Sequence, residues 1–181
     1  MLRGNHESRS MTMSFNFRDE CLAKYDQEVY DSFMLLFDCL PIAAIIDNKF
    51  FCIHGGMSPE LRTTKDINKL NRFREPPEKG LLCDLLWSDP VDHARGRQVQ
   101  RFKFNQTRGY SYFFGFDAVS QFLIFNQLTC VVRSHEVQHE GFKMHNWSNN
   151  KMPEVITVFS APNYCGTYGN KAAIIRFEVS L

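Results

Sequence analysis

The chain has 181 residues, a length typical of one domain with a substantial hydrophobic core. Its 21 basic and 20 acidic residues give a formal net charge of +1, so charge gives no reason to expect a nucleic acid or an anionic membrane as the main partner. No apolar run approaches the roughly 20 residues that span a bilayer. The cysteines lie far apart without a CxxC pair, which indicates a reduced chain of the cytoplasm or nucleus.

The first half of the chain contains a helical region followed by a hairpin. Apolar residues recur at helical spacing across residues 15–37, which predicts one or two helices packed on a core. Two short apolar runs at 42–46 and 50–53 are joined by Asp47-Asn48-Lys49. Because Asp and Asn tolerate the positive φ of tight turns, this pattern predicts a β-hairpin.

The second half reads as one helix and several strands. Asp117 is a candidate N-cap for a helix that continues to Phe125. Three apolar, strand-like runs follow, at residues 129–132, 155–159 and 172–177.

Several predicted strands end in loops that carry chemically capable side chains. The strand at 50–53 leads into His54-Gly55-Gly56, and the strand at 129–132 leads through Arg133 into Ser134-His135-Glu136. The strand at 155–159 leads into Ser160 to Tyr164. Since strand ends of one sheet edge lie together in space, we expect these loops to form one site on a rigid scaffold.

The start of the chain resembles a further strand-end loop. Only three residues precede Gly4-Asn5-His6-Glu7 at this end, and a strand of roughly five or six residues has no room there. We therefore expect the chain to begin inside a structural element, as an N-terminally truncated protein.

Residue types alone indicate a metal site only weakly. Asn5, His54 and His135 offer one amide oxygen and two imidazoles, which suit ions such as Zn, Fe, Ni or Mn. Three neutral ligands do not offset a divalent charge, and no zinc-finger spacing is present. An isolated histidine is more often a solvated or hydrogen-bonded structural residue, so this pattern leaves both interpretations open.

Six ordered motifs resemble those of the phosphoprotein phosphatase family, a branch of the metallophosphatases, and cover essentially the whole chain. They are Leu2 to Glu7 (LRGNHE), His54-Gly55-Gly56, Leu85 to Pro90 (LLWSDP), Thr107-Arg108-Gly109, Arg133 to Glu136 (RSHE) and Ser160 to Tyr164 (SAPNY). Within the family, Arg72 to Pro77 and Tyr110 to Phe113 are most similar to the calcineurin catalytic subunit. The pair Cys165-Gly166, which follows SAPNY, is more similar to the other members of the family than to calcineurin.

The resemblance implies a fold and a set of roles. The family fold is an α/β, four-layer sandwich of two mixed sheets flanked by helices, with metals at strand ends. Asn5, His54 and His135 would ligate one of two metal ions, iron with zinc or two manganese. His6 would be the general acid. Arg108 would hold the phosphate by a bidentate fork, Asn5 would donate to it, and Tyr164 would border the site.

Two earlier motifs of the family, GDxHG and GDxxDRG, do not occur in this sequence. They would supply the ligands of the other metal, the bridging aspartate, a second phosphate-binding arginine and the aspartate that orients the acid histidine. We therefore expect residues 1–181 to be the C-terminal part of a single catalytic domain, incomplete at the N-terminus, with at most one metal ion. The family segments that bind a calcineurin B-like regulatory subunit and calmodulin are also absent.

The resemblance implies hydrolysis of phosphoserine and phosphothreonine esters on proteins by a dinuclear metal-activated hydroxide in the complete parent. Two alternatives stay open for this chain alone. The first is a catalytically dead, truncated phosphatase that docks partners or binds a regulatory subunit. The second is a fragment with no independent fold. Phosphoproteins are the expected substrates, with no nucleic-acid or membrane partner.

Overall fold

The computed structural model describes residues 1–92, 101–148 and 150–178. Three helices follow an N-terminal loop: α1 (Arg9–Ser14), α2 (Phe17–Lys24) and α3 (Gln27–Cys39). The Asp26 side chain caps α3 by accepting a hydrogen bond from the Val29 amide. Helices α2 and α3 confirm the helical region predicted for residues 15–37.

Five strands form the larger sheet in the order β1-β2-β6-β8-β7. The predicted hairpin is confirmed, because β1 pairs antiparallel with β2 and the turn residues Asp47 and Asn48 have φ of 51° and 50°. Strands β2, β6 and β8 are parallel neighbours, and β7 closes the edge antiparallel to β8. The strands are β1 (Ala43–Ile46), β2 (Phe50–Ile53), β6 (Cys130–Arg133), β7 (Phe142–His145) and β8 (Val155–Val158).

A second, smaller sheet has the order β3-β5-β4. Strand β3 is parallel and β4 antiparallel to β5, so both sheets are mixed. The remaining elements are β3 (Asp89–Pro90), β4 (Phe102–Phe104), β5 (Tyr112–Phe114), α4 (Leu81–Trp87), α5 (Phe116–Asn126) and the 3₁₀ helices Thr64–Lys69 and Tyr164–Gly166. Two mixed sheets with helices confirm the predicted α/β class.

One face of the larger sheet packs on the core. Phe51, Val131 and Val155 are buried on this face and belong to one hydrophobic cluster with residues of α4, α5 and the smaller sheet. Residues on the opposite face are more open: Met144, which is the cross-strand partner of Ile156, is 59% exposed. The core therefore fixes the strands of the larger sheet from one side.

Two element predictions are wrong. Residues 172–177 form no strand, although the Ala173 amide donates to the Phe159 carbonyl and Ser160 Oγ donates to the Ala173 carbonyl. Ile174 is 87% exposed, and apolar alternation alone does not supply the neighbouring strand that a ladder requires. Asp117 lies in the first turn of α5, whose N-cap is Gly115.

No helix among the described residues combines the length and the apolar character that a transmembrane span requires.

Candidate active site

The ends of three parallel strands bring the predicted loops to one edge of the larger sheet. In the register, Cys52 is opposite Val132, and Arg133 is opposite Thr157. The loops that follow β2, β6 and β8 therefore leave the sheet at the same edge, as is typical of sites in open α/β sheets. The Ser134 amide donates to the His54 carbonyl at 3.0 Å, which ties the first two loops together.

Asn5, His54 and His135 converge on one point, although they are far apart in sequence. Asn5 Oδ1 lies 2.7 Å from His54 Nε2 and 3.2 Å from His135 Nδ1. The two imidazole nitrogens are 3.2 Å apart. The structure thus brings together three donor atoms that the sequence analysis selected as metal ligands.

The spacing and chemistry of these atoms fit a transition-metal ion. Nitrogen and oxygen ligands bind such ions at roughly 2.0–2.2 Å, so two ligands at right angles stand about 3 Å apart. The observed separations of 2.7–3.2 Å match this value. Within the described residues, no set of three His, Cys, Asp or Glu side chains is placed to hold an ion, so the Asn5 amide is needed as the third donor.

Both imidazoles are held in the neutral form that a metal ligand requires. Burial, assisted by the positive charge of Arg133, lowers the pKa of His54 to about 3. Burial also lowers the pKa of His135 well below its ordinary value, with Arg133 and His54 acting in the same direction. At neutral pH neither ring carries a charge that would repel a cation.

The buried Arg133 side chain stabilises the loops that carry His54 and His135. Its side chain is fully buried; Nε donates to the Gly55 carbonyl at 2.6 Å, and Nη2 donates to the Ser88 carbonyl at 3.0 Å. Its Nη1 pairs with Glu136 at 2.8 Å. His135 lies between Arg133 and Glu136 in the sequence and has a φ of 63°. This backbone conformation is uncommon outside glycine and recurs at functional sites.

Glycine is required at two close contacts, one between the N-terminal loop and His54 and one between Gly55 and the backbone of α4. A Cβ at Gly4 would lie 2.8 Å from His54 Nδ1, and one at Gly55 would lie 2.6 Å from the Trp87 backbone nitrogen. Both distances are shorter than a carbon atom tolerates, so the neighbours of Asn5 and His54 have to be glycine.

The loop that carries Asn5 is anchored by a buried ion pair. The Arg3 guanidinium is fully buried and lies 2.9 Å from Asp38 of α3. Its remaining nitrogens donate to the backbone carbonyls of Glu7, Arg72 and Arg74. Arg3 therefore joins the N-terminal loop to α3 and to the 72–74 segment, and this fixes the position of Asn5.

Arg108 is oriented by a buried carboxylate. Its Nε donates to Asp89 Oδ2 at 2.9 Å, and Nη2 reaches Asp89 Oδ1 at 3.5 Å. Asp89 also pairs with Arg133 at 2.9 Å and accepts from the Asn105 amide at 2.9 Å. No described residue accepts a hydrogen bond from Arg108 Nη1, and the side chain is 27% exposed. One edge of the Arg108 guanidinium therefore forms a salt bridge with Asp89, and the other edge can still donate hydrogen bonds to an anion.

Among the described residues, the side chains of His6 and Tyr164 make no hydrogen bond or ring contact with the three donor side chains, although the charge of His6 helps to lower the pKa of His54 and of His135. His6 lies at the surface, where its ring packs on Phe15 with the ring centroids 5.0 Å apart. Partial burial lowers the pKa of His6, Glu7 opposes this effect, and Arg108 adds to it, so His6 and Arg108 share one electrostatic neighbourhood. The Tyr164 ring packs on Phe159 and Tyr168.

Sequence reasoning missed the buried polar residues that support the site. Asp89 and Arg133 lie inside motifs that were recognised, but no role was assigned to them. Asn105 and the Arg3–Asp38 pair had no local signal, because their partners are distant in sequence. The clearest available clue was the polar pair Ser88-Asp89, which directly follows the apolar helix α4.

The two mixed sheets, with imidazole donors after β2 and β6 and the Asn5 amide beside them, are the arrangement of an α/β protein of the metallophosphoesterase class. A family model described as calcineurin-like phosphoesterase matches residues 1–139. The chain belongs to this family.

Known relatives agree with this assignment. The chain is 49% identical over 189 residues to the serine/threonine-protein phosphatase 2B catalytic subunit A1 of Saccharomyces cerevisiae, and the match covers 98% of the chain and 34% of that protein. It is 40% identical over 204 residues to subunit A2 of the same organism, with the same coverage.

A solved structure is also similar. It is a protein serine/threonine phosphatase from Saccharomyces cerevisiae with similarity to human phosphatase PP5. The TM-score is 0.80 at 36% identity, over 93% of the chain and 50% of that structure. The chain thus spans about a third of the length of the curated relatives and half of the solved one.

Proposed function

We propose that the chain is the C-terminal part of the catalytic domain of a protein serine/threonine phosphatase, which hydrolyses phosphoserine and phosphothreonine esters on proteins. The convergence of Asn5 Oδ1, His54 Nε2 and His135 Nδ1 within 2.7–3.2 Å carries this proposal. The family and the named activities of the relatives support it.

Asn5, His54 and His135 would hold one metal ion. Iron with zinc, or two manganese ions, are the metals that the resemblance implies for a complete site. When bound, such ions supply a hydroxide nucleophile at neutral pH and polarise the phosphoryl oxygens. The low pKa of His54, about 3, keeps its Nε2 lone pair available to the ion. Because these three donors are neutral, a carboxylate from another segment is needed for tight binding.

Arg108 would bind the phosphate through its outer edge. Asp89 holds the opposite edge at 2.9 Å, so the guanidinium loses little conformational freedom when an anion binds. The positive charge of Arg133 behind Asp89 balances that carboxylate, so the anion is not repelled. Asn5 would add a donor from its amide nitrogen, and Tyr164 would border the opening.

His6 would carry the proton that the leaving serine or threonine oxygen receives. In this chain burial lowers the pKa of His6, which disfavours the protonated acid. The role therefore needs a carboxylate that raises this pKa, and the resemblance assigns that carboxylate to the two earlier motifs, GDxHG and GDxxDRG. His6 and its orienting partner would come from different segments of the complete domain.

Phosphoproteins would be the substrates, and a calcineurin B-like regulatory subunit is a proposed partner, in line with relatives named phosphatase 2B catalytic subunits. We place the protein in the cytoplasm or nucleus, a location that its six free cysteines support.

The test is a chimera in which residues 1–181 replace the matching segment of the Saccharomyces cerevisiae subunit A1, which is 49% identical. We expect the chimera to release phosphate from a phosphoserine peptide in the presence of Mn²⁺. The parent subunit is the positive control. A folded, metal-loaded chimera without activity would contradict the proposal and favour a docking module.

A further inference from the structure

A groove of about 580 Å³ lies on α5, between the loop at residues 58–62 and the start of β4. None of the candidate active-site residues lines it. Its lining residues are Ser58, Pro59, Leu61, Arg62, Arg101, Phe102, Ala118, Gln121, Phe122, Ile124 and Phe125.

Helix α5 presents apolar side chains to this groove as well as to the core. Leu61, Ala118 and Phe122 are buried and form its floor. Ile124 is 76% exposed and Phe125 is 54% exposed, although both belong to a helix that already buries its other face. Large apolar residues exposed side by side around a concave floor are a feature of binding surfaces.

The walls of the groove are fixed by hydrogen bonds. The Asn126 side chain accepts from the Thr64 amide at 3.0 Å and donates to the Arg62 carbonyl at 3.0 Å, which joins the end of α5 to the loop. On the other side, the Gly115 amide donates to the Arg101 carbonyl at 3.2 Å. A ligand therefore meets a surface that is already formed, which lowers the entropic cost of binding.

The charged side chains that line the groove are all basic. The Arg62 guanidinium lies 5.0 Å from the centroid of the Phe125 ring, and Arg101 borders the groove beside Phe102. Asp66 accepts from the Arg62 backbone amide, but its carboxylate is already bound by Lys69 and Thr63. Among the described residues no carboxylate forms an ion pair with Arg62 or Arg101.

We propose that this groove docks a peptide segment of a protein partner that carries an apolar anchor next to aspartate or glutamate. The anchor would lie on Leu61 and Phe122, and the carboxylate would face Arg62 and Arg101. Arginine and aromatic side chains are the residues that contribute most to binding at protein interfaces.

A second copy of the chain fits this surface poorly. A symmetric dimer places the same patch of both copies face to face, so the two arginines that line the groove of one copy would face the equally basic groove of the other. Like charges brought together at an interface cost binding energy. An acidic partner complements the groove, whereas a second copy does not.

The experiment is a selection of a displayed random peptide library on the 181-residue chain, followed by affinity measurements on a synthetic copy of the best peptide. We expect selected peptides to combine Leu, Ile or Phe with neighbouring Asp or Glu. Phe125→Ala and Arg62→Glu should each weaken binding about 10-fold or more. Binding to the unmodified chain should also weaken as salt rises.

The matched control is Arg18→Glu. Arg18 lies over the Tyr30 ring at 5.8 Å, so the variant makes the same charge change at a second stacked arginine, outside the groove. It should leave the peptide affinity unchanged, and the melting temperatures of the variants show that each is folded. Selected peptides without acidic residues, the absence of any selected peptide, or equal affinity for Arg62→Glu would overturn the proposal. Self-association of the chain that Phe125→Ala abolishes would also overturn it.

Discussion

The anchoring of the Asn5 loop can be tested at Asp38. Asp38→Asn keeps the shape of the side chain but leaves the Arg3 charge fully buried without its carboxylate. Breaking a buried ion pair on one side costs about 3–5 kcal/mol. Three backbone carbonyls still accept hydrogen bonds from Arg3, so we expect a cost at or below the lower limit of this range, about 2–3 kcal/mol of unfolding free energy.

Thermal unfolding followed by circular dichroism measures this loss. For a domain of this size, 1 kcal/mol shifts the melting temperature by about 2–4 °C, so Asp38→Asn should melt about 4–12 °C lower. Asp31→Asn is the control, because Asp31 is exposed on the same helix and bonds only Gln27 in the described structure. Its effect should stay within about 0.5 kcal/mol. A variant at Asp38 that melts like the control would refute the anchoring role of Arg3.

The same pair predicts a dependence on pH. Hydrogen bonding from Arg9, with the charges of Arg9 and Arg3, lowers the pKa of Asp38 below its ordinary value of 3.8. A carboxyl group whose folded pKa is depressed contributes its full stability above the unfolded pKa and loses it as pH falls through the folded pKa. The difference between the parent and Asp38→Asn should therefore be constant near neutral pH and shrink below about pH 4.

Two further predictions concern the chimera described above. His6→Asn should leave metal content unchanged and lower kcat by about 10²- to 10⁴-fold on phosphoserine peptides, with a smaller loss on aryl phosphates, whose leaving groups need less protonation. Equal losses on both substrates would give His6 another role. Arg108→Ala should lower kcat/KM by about 10- to 1,000-fold, or about 1.4–4 kcal/mol. The melting temperature should change little, because Asp89 still forms its ion pair with Arg133 and its hydrogen bond with the Asn105 side chain. Arg108→Lys should recover part of this loss, and unfolding of Arg108→Ala would indicate a structural salt bridge instead.

Local patterns were sufficient for the elements that deliver the donor residues. The hairpin at 42–53 was predictable because a polar, left-handed turn separates two apolar runs. The shared edge of the strand-end loops followed from strand direction, and the β2-β6-β8 order places those ends together. The short distances between the side chains of Asn5, His54 and His135 were not predictable from their sequence spacing. These distances depend on the pairing of strands that are far apart in sequence.

The parts that sequence reasoning missed depend on distant partners. Asp89 meets Arg133 and Arg108 through the packing of the two sheets, and nothing near Asp89 in the sequence indicates that contact. Residues 172–177 show the opposite error, because their apolar alternation is that of a strand while no ladder forms among the described residues. Periodicity reports which side of a segment is apolar, and it does not report what lies beside the segment.

The metal content of the chain after dialysis against excess Mn²⁺ tests the central claim most directly. The three donors at Asn5, His54 and His135 predict at most one bound ion per chain, and because it is held loosely the content is measured at dialysis equilibrium. His54→Ala should abolish this binding, whereas His139→Ala should not, because the His139 side chain is 80% exposed and bonds Glu140. Two retained ions per chain, or equal metal content in the parent and His54→Ala, would contradict the account.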